Sequence, residues 1–167
     1  MQDLGTITRE LYAGIDRRDW SVWDRLISPQ VEAEAFGERQ VGIVERRAFL
    51  DGWIRAFPDV AHRLDRVVVG ADTVVLEVTH TGTHTGPLGE GEETIEPTGR
   101  TIAWPGCHIL RFRDGLVVSN HLYEDRLDLL AQLGLYGVGV PRGRPGERGP
   151  PRSSARPGAP RWPGRRR

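Results

Sequence analysis

Residues 99–125, GRTIAWPGCHILRFRDGLVVSNHLYED, gather the side-chain types that proton transfer requires. His108 and His121 supply imidazoles that titrate near neutral pH, Asp125 a carboxylate, Tyr123 a phenol and Trp104 an indole N–H. Groups of this kind act as general acids and bases when a water-poor pocket holds them against a substrate. Ser119 adds a hydroxyl and Phe112 an apolar ring. Whether they meet depends on the element that carries them.

That element is a β-hairpin. Asp114-Gly115 between two alternating apolar runs is the strongest short-range hairpin signal, because both turn positions need positive φ. With these two as the turn, Arg113 pairs with Leu116, Phe112 with Val117, Leu110 with Ser119, His108 with His121, Gly106 with Tyr123 and Trp104 with Asp125. Alternation then puts Trp104, His108, Leu110, Phe112, Val117, Ser119, His121, Tyr123 and Asp125 on one face, the wall of a pocket. Cys107 points the other way, which removes a Cys–His nucleophilic pair. Asp125 lies at the strand end, where it serves either as the site's acid or as the cap of the following helix. His121 opposite His108 offers an alternative, an imidazole pair that shuttles the proton.

The same geometry argues against a metal. Two histidines across a hairpin, with Cβ atoms about 5 Å apart, can chelate. A third ligand is missing, since Asp125 sits on the order of 13 Å from His121 at strand rise. His80-x-x-x-His84 would be neighbours on a helix, but on a strand they too are about 13 Å apart. No metal is expected. His80 and His84 share the apolar face of their strand and reach the pocket mouth; alternatively, Gly82-Thr83-His84-Thr85-Gly86 is a structural strand end.

The preceding chain supplies the frame. Leu4, Ile7, Leu11 and Ile15 recur at helical spacing, and Asp19 opens a second short helix with Trp20, Trp23, Leu26 and Ile27 as a stripe that Pro29 ends. Residues 31–36 alternate as a short strand, with Val31, Ala33 and Ala35 on one face. A third helix from about Glu45 turns Phe49, Leu50, Trp53, Ile54 and Phe57 inward. Strands follow over residues 62–69 and 73–84, then a Gly/Glu-rich loop, the hairpin, and a last amphipathic helix ending at Gly134. Helices first and antiparallel strands afterwards make an α+β fold, with helices on one face of a curved sheet. Gly89 and Gly91 lack the strand–turn–helix setting of a phosphate loop.

The chain has 167 residues and balances 23 basic against 23 acidic groups, but unevenly. Residues 141–167 hold nine Arg against one Glu among Pro, Gly and Ser, and read as a disordered tail; residues 1–140 carry 14 Arg against 22 Asp and Glu. The acidic body argues against nucleic-acid binding by the domain, and the tail reads as a solvated extension. One cysteine excludes an intrachain disulfide and fits a reducing compartment. With neither a signal-like N-terminus nor a membrane-length apolar run, the expected location is cytoplasmic.

Taken in order, Ala56-Phe57-Pro58-Asp59, Gly82-Thr83-His84-Thr85-Gly86, Pro97-Thr98-Gly99-Arg100, the His108-x-x-x-Phe112-Arg113-x-x-Gly115 run and Asp125 resemble the SnoaL-like polyketide cyclase or ester-cyclase family. The resemblance covers roughly residues 5–136. It implies a cone-shaped α+β fold of the nuclear-transport-factor type, in which a strongly bent, mostly antiparallel sheet wraps around the N-terminal helices and encloses a pocket. It also implies cofactor-free chemistry on a small hydrophobic polyketide, and dimers or tetramers formed through the outer sheet. Within that family His108 matches a position associated with the active site, and the cyclases use a pocket aspartate as acid/base. The sequence departs from this at Ser119-Asn120-His121, where mid-strand positions lack an acid.

The expectation is therefore an acid/base enzyme that cyclises, isomerises or ring-opens a hydrophobic intermediate, most simply by intramolecular aldol chemistry. His108, Asp125 and His121 are the catalytic candidates, and Trp104, Tyr123, Ser119, Phe112, His84, His80 and Trp53 the substrate-binding ones. The alternative is a non-catalytic binding or scaffold module of the same fold.

Overall fold

The computed structural model describes residues 3–89 and 91–135. The segment expected to be disordered, residues 141–167, lies outside the described residues. The first helix, α1 (Leu4–Arg17), begins at Asp3, whose carboxylate accepts the Thr6 N–H at 2.9 Å. Such a cap stabilises a helix by about 1 kcal/mol. Ile7, Leu11 and Ile15 are buried as their spacing predicts, and so is Tyr12 beside them.

Helix α2 (Trp20–Leu26) passes straight into β1 (Ile27–Ala35). Pro29 thus lies inside a strand instead of ending a helix, at a place where the ladder to the neighbouring strand is interrupted between Ile27 and Glu32. A proline without an N–H is tolerated at such an irregularity. A further strand, β2 (Glu38–Val41), pairs with β1 across Phe36 and Gly37, both at positive φ. Helix α3 (Gly42–Ala56) follows, then β3 (Ala61–Val69), β4 (Thr73–Thr83), β5 (Thr101–Arg113), β6 (Leu116–Glu124) and α4 (Arg126–Leu133). Gly134 at φ 82° closes α4 as the expected C-cap.

The six strands form one open, curved sheet in the order β2-β1-β6-β5-β4-β3. All pairs are antiparallel except β1 with β6. One apolar core lies where α1 and α2 pack on the sheet, around Leu11, Trp23, Leu76 and Leu110. A second joins the end of α3 to α4 through Phe57, Trp104, Leu129 and Leu133. This is the α+β arrangement expected, with the helices on the concave face.

The hairpin turns at Asp114 and Gly115, at φ 52° and 80°, and its first two pairs, Arg113–Leu116 and Phe112–Val117, form as expected. The register then shifts. Arg111 pairs with Ser119, leaving Val118 as an extra residue, and beyond it Ile109 pairs with His121, His108 with Leu122 and Gly106 with Glu124. A one-residue bulge exchanges the two faces of everything that follows it. Ser119, His121 and Tyr123 therefore turn outward, and Asn120, Leu122 and Glu124 turn inward.

Candidate active site

A cavity with about 750 Å³ of empty space, counting its open mouth, lies between the helices and the concave face of the sheet. Apolar side chains from α1, α2, α3 and β1, among them Leu11, Trp23, Val31 and Leu50, form most of its wall. The polar groups come from the facing strands. Register places His62, His80 and Trp104 side by side across β3, β4 and β5, with Gly106 and His108 next along β5.

Glu124 sits opposite Gly106 on β6, and its side chain leans over that glycine into the row of histidines. One carboxylate oxygen, Oε1, accepts the His108 Nε2–H at 3.2 Å and lies 3.1 Å from His80 Nε2. The other, Oε2, accepts the Trp104 indole N–H at 3.3 Å. His80 is stacked on Trp104, with ring centroids 5.1 Å apart. At its far nitrogen, Nδ1, His108 accepts the Tyr12 hydroxyl at 2.5 Å. Tyr12, His108 and Glu124 thus make a buried chain of donors and acceptors. Next to Tyr12, His62 donates Nδ1–H to Asp16 at 2.6 Å, and the two rings meet edge to face at 5.3 Å.

Burial sets the charge states. Loss of water around His108 outweighs the attraction of Glu124 and lowers the imidazole to a pKa of about 4, so it is neutral at pH 7. Burial pushes Glu124 up, but the His108 hydrogen bond and the closeness of the His80 and His108 imidazoles override it and bring the carboxyl down to about 2. Desolvation raises the Tyr12 phenol far above its ordinary value, which keeps its proton in place. Arg46, on the cavity wall and bonded to Gln40 at 3.2 Å, is lowered by burial to about 10 and stays cationic. A neutral phenol, a neutral imidazole and an ionised carboxylate stand in line, with a buried cation on the same wall.

The placement of the expected site residues is mixed. Trp104, His108, His80 and Trp53 line the cavity. Phe112 is buried in the first core, and His84 in the corner behind Phe57, its ring 5.1 Å from that residue's; neither is part of the cavity wall. The bulge moves three candidates off the site. Tyr123 is 61% exposed, and Ser119, His121 and Tyr123 line a depression on the outer face of the sheet. Asp125 follows the last ladder pair and accepts the Asp128 N–H at 3.0 Å as the N-cap of α4, the structural one of its two readings. The carboxylate that does line the cavity is that of Glu124, the residue before Asp125.

Tyr12, Arg46, His62 and Glu124 also line the cavity but escaped the sequence reading. Arg46 was the most legible, because it lies three, four and seven residues before Phe49, Leu50 and Trp53, on the apolar stripe itself. Trp23 Nε1 and Asn120 Oδ1 are buried on the same wall without a hydrogen-bond partner among the described residues, which leaves them available to a polar ligand group. His80, His108 and Glu124 also present ligand atoms within 4.8 Å of one another, a set able to hold a metal ion. This is the third ligand that the hairpin alone lacked.

Solved structures share this fold. The structure resembles AclR from Streptomyces galilaeus, provisionally described as a hydroxylase, at 28% identity and a TM-score of 0.67 over 80% of this chain and 85% of that one. IdmH from Streptomyces antibioticus aligns at 23% identity and 0.67 over 80% and 99% of the two chains. An NTF2-like protein of Burkholderia pseudomallei aligns at 18% and 0.66 over 80% and 98%. These last two show the fold alone. No curated protein sequence matches the chain. No helix among the described residues is long and apolar enough to cross a membrane. The family model of SnoaL-like polyketide cyclases matches residues 6–133, and the chain belongs to that family.

Proposed function

We propose that the protein is a catalytic member of its family, which removes a proton beside a carbonyl of a small hydrophobic, polyketide-like compound and closes a ring by intramolecular aldol addition. The observation that carries this reading is the buried line Tyr12–His108–Glu124 at the edge of an apolar cavity. The substrate C–H proton passes to the Tyr12 oxygen as the Tyr12 proton moves to His108 Nδ1. An imidazolium then stands against the Glu124 carboxylate, the same logic by which a carboxylate supports histidine in a nucleophilic triad. Arg46 holds the enolate and then the new alkoxide, a preorganised charge in a site with little water. Reversal of the relay returns the proton to the alkoxide. Trp104 and Trp53 fix the ring plane of the substrate. The reaction draws its proton donors and acceptors from the chain itself.

A direct test follows solvent deuterium entering the α-carbon of aryl methyl ketones, acetophenone and 2-acetylnaphthalene, by NMR. The wild-type chain accelerates exchange, and Tyr12→Phe and His108→Gln each lower the rate about a hundredfold, the scale of general-base catalysis. Saturable binding of the ketones without exchange would instead identify a non-catalytic binding module.

A further inference from the structure

Strand β5 carries one glycine, and it lies under the Glu124 side chain. A Cβ at Gly106 would stand 3.3 Å from Nε2 of both His80 and His108, and 3.0 Å from Glu124 Cγ. Three side chains thus converge around a spot that any other residue would fill. Glycine within a strand commonly marks such a close approach by a ligand. All three side chains are 3–6% exposed. His80 Nε2 is 3.1 Å from the carboxylate yet has no hydrogen-bond partner, because its N–H is not aimed at the oxygen. A buried nitrogen in that state needs an explanation.

We propose that His80 Nε2, His108 Nε2 and the Glu124 carboxylate form a binding site for one divalent first-row transition ion, such as Zn²⁺ or Co²⁺, open on its cavity side. Two imidazoles and a carboxylate suit these borderline ions better than Ca²⁺ or Mg²⁺, which favour all-oxygen shells. Ligands about 2.1 Å from an ion, at octahedral to tetrahedral angles, stand about 3.0–3.4 Å from one another. The two imidazole-to-carboxylate distances, 3.1 and 3.2 Å, already meet that span. Three protein ligands leave a coordination position open towards the cavity, the pattern of sites that handle a small molecule.

The outer atoms of the set are held as such sites require. Trp104 N–H fixes Glu124 Oε2, and the Tyr12 hydroxyl meets His108 Nδ1. On ion binding His108 shifts its proton to Nδ1 and donates to the Tyr12 oxygen, a tautomer change with no net loss of a proton. The ion and the proton relay use the same atoms of His108 and Glu124, so each excludes the other. The site itself does not depend on the acid/base reading.

The test titrates Co²⁺ into the full-length chain after EDTA treatment and dialysis, following visible absorption, with Zn²⁺ measured by calorimetry. One ion per chain is expected. His80→Ala and Glu124→Gln should each weaken binding about a hundredfold or more, the larger end of the losses seen even for outer partners of metal ligands. His121→Ala on the outer face should leave it unchanged. Glu124→Gln keeps the shape of the side chain, so its effect is read on a folded protein, checked by circular dichroism. Absence of saturable binding to the wild type, or binding that survives both ligand substitutions, would overturn the proposal. Loss of ketone exchange in metal-free Glu124→Gln alongside a wild type that binds no ion would reject the metal site and leave the acid/base reading standing.

Discussion

His80 and His84 lie four residues apart on one sheet face, yet they serve two different regions. His80 faces the cavity between Trp104, His108 and Glu124. His84 is sealed in a corner where three of the family-bearing motifs interlock. Its Nδ1 accepts the Thr98 N–H at 3.2 Å, and its ring packs on Phe57. Beside it, Asp59 accepts both the backbone N–H and the hydroxyl of Thr83 at 2.7 Å, and the Ala56 carbonyl accepts the N–H groups of Thr85 and Gly86 at 3.1 Å. The corner ties the end of α3 to the end of β4. These three segments are structural, whereas the polar side chains of the cavity are scattered over α1, α3, β3, β4, β5 and β6.

Substitutions in the two regions should therefore fail in different ways. The largest effect on stability is expected at Gly86, where a Cβ would lie 2.0 Å from the Arg55 carbonyl oxygen. Gly86→Ala should cost about 3 kcal/mol, the upper end for forced overpacking, read as a lowered urea midpoint. The protein that remains folded should exchange ketone protons at the wild-type rate. Loss of rate per folded molecule would mean that the corner belongs to the site.

Acid should weaken the fold through the buried imidazole of the site wall. The native His108 imidazole titrates at about 4 against 6.5 for the free group, so unfolded chains bind the proton first. Stability then falls as the pH drops from 6.5 towards 4. Glu124, held at about 2 against 4.5, contributes stability above 4.5 that is lost as the pH falls through 2. With EDTA present, the urea midpoint of the wild type should decline between pH 7 and pH 4, and His108→Gln should flatten that decline. An equal slope in both proteins would contradict the neutral, buried imidazole.

The smallest effects belong to the outer face. His121→Ala and Tyr123→Ala remove exposed side chains and should change stability by no more than about 0.5 kcal/mol. Ketone exchange should stay within twofold. A larger loss would show that the face is covered by another copy of the chain.

The fold was largely legible because it is written in periodicity: the α1 stripe, the Phe49–Trp53 stripe, the Asp114-Gly115 turn and the Gly134 cap all stand where their patterns put them. The site was half legible. Alternation along β5 correctly put Trp104 and His108 on the cavity face, since that strand runs unbroken, while Phe112 on the same face lies in the core beyond the cavity. It failed on β6 because one extra residue at Val118 inverted every later position, and a bulge has no reliable signature in one sequence. Leu122 carried a hint, as an unbroken register turns this apolar residue outward and His121 inward. Tyr12 was hidden for another reason: it lies beside the apolar stripe of α1, where an aromatic side chain reads as core packing until the cavity it faces is known.

The bulge makes neighbouring carboxylates unequal, and that inequality can be measured. Glu124→Gln and Asp125→Asn should be compared for deuterium exchange into 2-acetylnaphthalene at pH 7 with EDTA. Glu124→Gln should lower the rate about a hundredfold or more. Asp125→Asn should hold it within twofold, since asparagine caps a helix nearly as well as aspartate. Loss of exchange in Asp125→Asn with full activity in Glu124→Gln would contradict the bulged register and the relay built on it.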